Sequence, residues 1–155
     1  MRSSTMKLTT QQIGKCGELL VQLELLKHGI ESSQLTTDSG IDLVAFSRKE
    51  GKAYTIQVKT NLEPKPAGGK GRLINDWWLP RDNDADLLAF VDLSHSKCWL
   101  IEREEFEKIA QQKTDNKFHF GIVLDPEAPP RKDGKPHHEY QFTQYRLGNV
   151  VHKFF

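Results

Sequence analysis

Residues 39–61 read SGIDLVAFSRKEGKAYTIQVKTN. Two runs, Ile41 to Phe46 and Ala53 to Lys59, flank the turn RKEG and have the composition of paired β-strands. Strand side chains alternate between faces. Ile41, Leu43 and Ala45 therefore share one side and Asp42, Val44 and Phe46 the other; Gln57 and Lys59 point away from Ile56 and Val58. A short turn makes the runs antiparallel neighbours, so Asp42, at the start of one, lies at the same end of the hairpin as Gln57 and Lys59, near the end of the other. A carboxylate, an amide and an ammonium converge there. Desolvating charged groups is costly unless they are paired or bind a metal. Two readings of these residues stay open: a structural Asp42–Lys59 ion pair on a half-exposed sheet, or a functional site.

Upstream, residues 9–29 predict an amphipathic helix, capped by Thr9 or Thr10 and stopped by Gly29. Ile13, Cys16, Leu20 and Leu23, widened by Leu19 and Leu26, are its expected buried face. Glu18 lies beside that face, where a helix packed on the sheet can aim it at the hairpin end; Glu24 reads as a solvated acid on the same helix. A weak strand is expected near 33–37, a strand pair at 87–91 and 98–101 around SHSK, a charged helix at about 103–111, and a strand in EYQFTQYRL (139–147). This order fits an α/β (α+β) fold, a mixed β-sheet flanked by helices. With no internal repeat and no boundary, 1–155 reads as a single domain.

At 28% charged and 9% aromatic residues, the composition is that of a globular protein rather than a disordered one. A net charge of +1 neither requires nor excludes a nucleic-acid partner, because local clustering decides that. No run approaches the ~18 apolar residues of a membrane span, and MRSSTMKLTT has no hydrophobic segment; no membrane partner and a cytoplasmic location are expected. Cys16 and Cys98 sit in apolar patterns and read as buried free thiols.

Two stretches break the pattern. EPKPAGGKGRLIND (63–76) carries Lys65, Lys70 and Arg72; DPEAPPRKDGKPHH (125–138) carries Arg131, Lys132 and Lys135. They read either as solvated loops or as basic arms that reach phosphates. His95-x-x-Cys98 has zinc-like spacing without a second ligand pair, and reads as a turn beside a buried thiol. His137-His138 reads as a surface pair, Trp77-Trp78 as core or a dimer contact, and Asp84 and Asp86 as an acidic pair with nothing tying it to the hairpin end. There is no phosphate-binding loop, dinucleotide fingerprint or nucleophile elbow.

Glu18 on the leading helix, Asp42 in SGID, and Gln57 and Lys59 in IQVKT together resemble the PD-(D/E)XK nuclease superfamily, with 24 residues from Glu18 to Asp42 and 15 from Asp42 to Gln57. GKCGELLVQLELLKHG (14–29) is similar to the first helix of archaeal Holliday junction resolvases and of intron-encoded homing endonucleases of this fold, and the Q-x-K form looks most like the homing branch. The resemblance covers about residues 10–61, with a loose likeness in ADLLAFVDL and CWLIEREEF. It implies a restriction-endonuclease-like sheet and a Mg²⁺-dependent endodeoxyribonuclease, with Mn²⁺ able to substitute. Asp42, Glu18, the Val58 carbonyl and the Gln57 amide oxygen would be the metal ligands, and Lys59 would orient water or stabilise phosphate charge. Gln57 replaces the commoner glutamate and brings no charge. Double-stranded DNA is the implied partner and a homodimer or homotetramer the implied assembly. A site-specific, homing-type enzyme, a Holliday-junction or repair nuclease, and a non-catalytic DNA-binding module that kept the fold all suit these residues.

Overall fold

The computed structural model describes residues 6–37 and 39–155; residues 1–5 of the N-terminal stretch read above lie outside them. Helix α1 (Thr10–Lys27) starts at a reciprocal cap: the Gln12 N–H donates to Thr9 Oγ1 at 3.1 Å, and the Thr9 N–H donates to Gln12 Oε1 at 2.9 Å. The chain then forms β1 (Ser32–Gln34), β2 (Leu43–Ser47), β3 (Lys52–Asn61), β4 (Lys65–Pro66), β5 (Leu73–Pro80), β6 (Leu87–Asp92), β7 (Lys97–Glu102), α2 (Arg103–Ile109), β8 (Gln112–Lys113) and β9 (Lys117–Val123). A 3-10 segment, Glu139–Tyr145, leads into α3 (Leu147–Val150).

Five strands form one sheet in the order β1-β2-β3-β6-β7. Its ladders are antiparallel except β3–β6, which is parallel, so the sheet is mixed. β4, β5, β9 and β8 form a second, antiparallel sheet. The two faces of β3 and β6 serve different layers. Ile56, Val58, Leu87 and Ala89 pack under Val21 and Leu25 of α1 and under the C-terminal Leu147 and Val150. On the opposite face, Leu88 and Phe90 meet Trp77 of β5 and Phe118 and Phe120 of β9, closed by Phe106 and Phe142. Rings dominate that second core: Phe90 lies 4.9 Å from Phe120 and 5.2 Å from Trp77, within the range where aromatic pairs add to area burial.

The mixed sheet flanked by helices is as expected; several details differ. The buried stripe of α1 is Gly17, Val21 and Leu25, while Leu19, Leu23 and Leu26 are 52%, 52% and 59% exposed. Gly17 decides this rotation, because it lets the helix settle directly on Thr60 of β3. The stretch 63–76 is not one loop: its prolines and glycines make the tip of the β4–β5 hairpin, and its end is already strand. Trp77 and Trp78 split by alternation, one buried and one exposed. β9 was not anticipated at all. EYQFTQYRL forms no strand; its spacing of three brings Phe142 and Tyr145 to the core, and Gln141 Oε1 accepts the N–H groups of His137 and His138 at 3.0 Å each. Cys98 is buried as expected, Cys16 only partly. Among the described residues no helix is long and apolar enough to cross a membrane.

Candidate functional site

The register of β2 on β3 pairs Leu43 with Ile56, which sets Asp42, one residue before β2, opposite Gln57. β2 begins at Leu43, so the backbone ladder does not extend to Val58. The Asp42 side chain takes over: its Oδ2 accepts the Val58 N–H at 2.7 Å and the Gln57 Nε2–H at 2.8 Å. Gln57 is buried and donates a second, longer bond to the Val58 carbonyl at 3.3 Å. Lys59 is half-buried on the same face, beside Phe90 of β6. Among the described residues its ammonium makes no hydrogen bond or ion pair; the structural Asp42–Lys59 pair is not formed.

A residue the sequence did not single out closes this arrangement. Asn83 Nδ2 donates to Gln57 Oε1 at 3.2 Å and to the Gly40 carbonyl at 2.8 Å, while its Oδ1 accepts the Ala85 N–H at 3.1 Å. Gly40 has φ +81°, and a Cβ there would lie 3.2 Å from Asn83 Nδ2, so glycine suits the position twice over. The 83–86 loop is itself pinned. The Arg103 guanidinium donates to the carbonyls of Asn83 and Ala85, and Asp86 Oδ2 accepts the Thr55 N–H at 2.9 Å. Asp86 is thus tied to β3 as an anchor.

Glu18 stands apart. It is carried on the α1 side of the sheet, where Lys15 Nζ holds it at 2.6 Å and also donates to Gln34 Oε1 of β1 at 2.9 Å. The structure brings Asp42, Gln57 and Val58 into contact, leaves Lys59 two residues beyond Gln57 along β3, and gives Glu18 a neighbour of its own. The Asp42 carboxylate and the Val58 carbonyl are hard oxygens of the type Mg²⁺ takes, and one amide bridges them, so these two fit such an ion. Gln57 presents nitrogen, not oxygen, to them. Among the described residues no group of three or more His, Cys, Asp or Glu is placed to hold a metal.

The expected phosphate contacts divide. Lys65, Lys70 and Lys132 are exposed, whereas Arg72 pairs with Asp125, Arg131 with Asp133 at 2.6 Å, and Lys135 donates to the Ala110 carbonyl at 2.8 Å. His138 is not on the surface: it is 3% exposed and its Nε2 lies 2.7 Å from the Ala128 carbonyl oxygen, which closes the 125–138 loop. Its burial, with the neighbouring His138, pushes the His137 pKa down. His95 bonds Asp92 Oδ2 at 2.7 Å, and burial pushes the Cys98 thiol up to about 12, a poor zinc pair. Two clefts of about 310 and 320 Å³ surround Arg146 and contain none of Glu18, Asp42, Gln57 or Lys59. The convergent residues lie instead on a sheet face where Phe46 is 56% exposed.

A parallel β3–β6 pair beside the β2–β3 hairpin, backed by α1, gives this chain the fold of a nuclease of known structure. The chain superimposes on the bacterial homing endonuclease I-Ssp6803I with a TM-score of 0.61 and 19% identity, over 95% of this chain and 91% of that one. The Holliday junction resolvase Hjc of the archaeal hyperthermophile Archaeoglobus fulgidus aligns with 73% of this chain and 84% of its own at 16% identity and a TM-score of 0.48. No protein-family model matches the sequence, and no curated protein does.

Proposed function

We propose that the protein is a metal-dependent DNA endonuclease that hydrolyses phosphodiester bonds. The observation that carries this reading is the Asp42 carboxylate bridged to the Val58 carbonyl by the Gln57 amide, with Lys59 two residues beyond Gln57 along β3 and in no hydrogen bond or ion pair among the described residues. Mg²⁺, or Mn²⁺ in its place, would be held by Asp42 and the Val58 carbonyl, and would polarise the scissile phosphate and lower the pKa of a bound water. The Val58 N–H holds Asp42 in place through a charge-assisted hydrogen bond. Lys59, a compact cation, sits against the phosphate oxygens or the attacking water. Glu18, next to the Gly17–Thr60 contact, supplies the second carboxylate when Lys15 releases it. Lys65, Lys70 and Lys132 meet backbone phosphates of double-stranded DNA. One such site cuts one strand, so cleavage of a duplex calls for a homodimer or homotetramer, with Leu19, Leu23 and Leu26 as the apolar stripe available to a second copy. A site-specific, homing-type target suits the Q-x-K pattern.

The Gln57 amide nitrogen, turned toward the two oxygens, favours a second reading: a DNA-binding module that kept the nuclease fold and does not cut. One assay separates the two. Plasmid, linear duplex and four-way-junction DNA are incubated with Mg²⁺ or Mn²⁺ and the wild type, Asp42→Ala or Lys59→Ala. Cleavage by the wild type alone is expected. Folded wild type that cuts none of the substrates would leave the binding module, and cutting undiminished in both variants would remove the site assignment.

A further inference from the structure

Asn83 is fixed from three directions, and that has a consequence for Gln57. If the Asn83 amide were turned around, its oxygen would face the Gly40 carbonyl and its nitrogen the Ala85 N–H, two like-with-like contacts in place of two hydrogen bonds. Asn83 therefore offers a donor to Gln57, and Gln57 must answer with its oxygen. Its nitrogen is left pointing at Asp42 Oδ2 and the Val58 carbonyl, to which it donates at 2.8 and 3.3 Å. Both amides are buried, so an unsatisfied end has no water to turn to. A Gln57 oxygen pointing toward the candidate cation site would set its nitrogen against Asn83 Nδ2, donor against donor.

We propose that Asn83 is a positioning residue that turns the Gln57 amide nitrogen toward Asp42 and the Val58 carbonyl, so that Gln57 enters the candidate cation site as a hydrogen-bond donor and not as an oxygen ligand. The inference deepens the nuclease reading and rests on it for the role of the site. The amide and a divalent ion then compete for the same two oxygens, and Gln57 keeps those oxygens in place before an ion arrives. The Arg103 bonds to the Asn83 and Ala85 carbonyls extend the same constraint back to the start of α2.

Two measurements on the 155-residue chain test this. The first uses nitrogen-15-labelled, metal-free protein, with the Gln57 side-chain amide signals assigned by their loss in Gln57→Leu. Their exchange with solvent is expected to be at least about tenfold slower than that of a free side-chain amide, and Asn83→Ala to speed it about fivefold. Exchange at the free rate in the wild type would overturn the proposal. The second is calorimetric titration with Mn²⁺. Gln57→Leu, which removes both ends of the amide, is expected to bind at least as tightly as the wild type. Weakening by about tenfold would identify an oxygen ligand and overturn the proposal. Asn83→Ala is expected to tighten binding about fivefold, and only while Gln57 is present. The same tightening in the Gln57→Leu background would point to a general disturbance of the 81–86 loop and would also overturn it. The failures are distinguishable. If no variant binds Mn²⁺ and the wild type cuts no DNA, the nuclease reading falls and the exchange measurement alone decides how Gln57 is held.

Discussion

Gly17 of α1 and Thr60 of β3 approach so closely that a Cβ on Gly17 would lie 1.7 Å from the Thr60 hydroxyl oxygen. The contact sets the height of the helix over the sheet, and Glu18 is the next residue along. Helix propensity favours Gly17→Ala by about 1 kcal/mol. Overpacking of this severity costs about 3 kcal/mol, and Thr60 cannot yield because its backbone is in a central strand. Net destabilisation of about 2 kcal/mol is expected in denaturant unfolding. Thr60→Ala should recover part of the loss. Stability equal to wild type in Gly17→Ala would show that the helix can ride higher without cost.

Asp92 is a buried carboxylate at the end of β6. Burial pushes its pKa up, but hydrogen bonds from Asn75, His95 and Ser94 more than offset this and hold it below the ordinary value of 3.8. A folded-state pKa below the unfolded one means stability that is present in full above the unfolded value and lost as the pH falls through the folded one. Asp92→Asn is therefore expected to cost about 1–3 kcal/mol near neutral pH. The gap between variant and wild type should shrink below the unfolded value of 3.8, as measured by urea unfolding across that range. A gap independent of pH would mean that shape, not charge, makes the site.

The two thiols differ in environment. Cys98 is buried and its pKa is raised to about 12, first by burial and then by the charge of Glu24. Cys16 is partly exposed. An aromatic disulfide reagent at mildly alkaline pH is expected to modify Cys16 in the folded protein and Cys98 only in denaturant. Equal rates for the two would contradict the packing of β7 under the C-terminal segment.

The basic side chains of the β4–β5 hairpin and of the 125–138 loop should separate in a salt series. Lys65, Lys70 and Lys132 are exposed, so replacing each with alanine is expected to reduce the salt slope of duplex binding by about 0.9. Arg131→Ala should act chiefly on the 125–138 loop, because that guanidinium is already committed to Asp133. Unchanged slopes for all three lysines would move the DNA-binding surface elsewhere.

The hairpin that decides the fold was legible because it is local: a four-residue turn and two alternating runs fix which residues share a face. That logic placed Asp42 at the same hairpin end as Gln57 and Lys59 without any long-range information; the structure added the register that sets it opposite Gln57. The second sheet was not legible. β5 begins inside a glycine-rich stretch and finds its partner β9 some forty residues later, with Trp77 opposite Phe120. The alternation of Phe118, Phe120 and Ile122 was there to be read, but its hairpin partner β8 is only two polar residues, Gln112–Lys113, so no second apolar run marked the pair. The helix face was misjudged because a glycine contact, invisible to an apolar count, sets the rotation of α1. Asn83 gave no signal, since its partners Gly40 and Gln57 are brought to it only by the parallel β3–β6 pairing.

That parallel pairing makes neighbours of two strands that are not consecutive, with the β4–β5 hairpin spliced between them. The hairpin is anchored by Trp77 and Leu79, while its tip at Ala67–Gly69 is exposed. Residues can be added or lost at the tip without moving β3 against β6, hence without moving Gln57 against Asp42. Under the proposed function, where the protein grips DNA and how it cuts it become separately heritable traits, one free to diverge while the other is held.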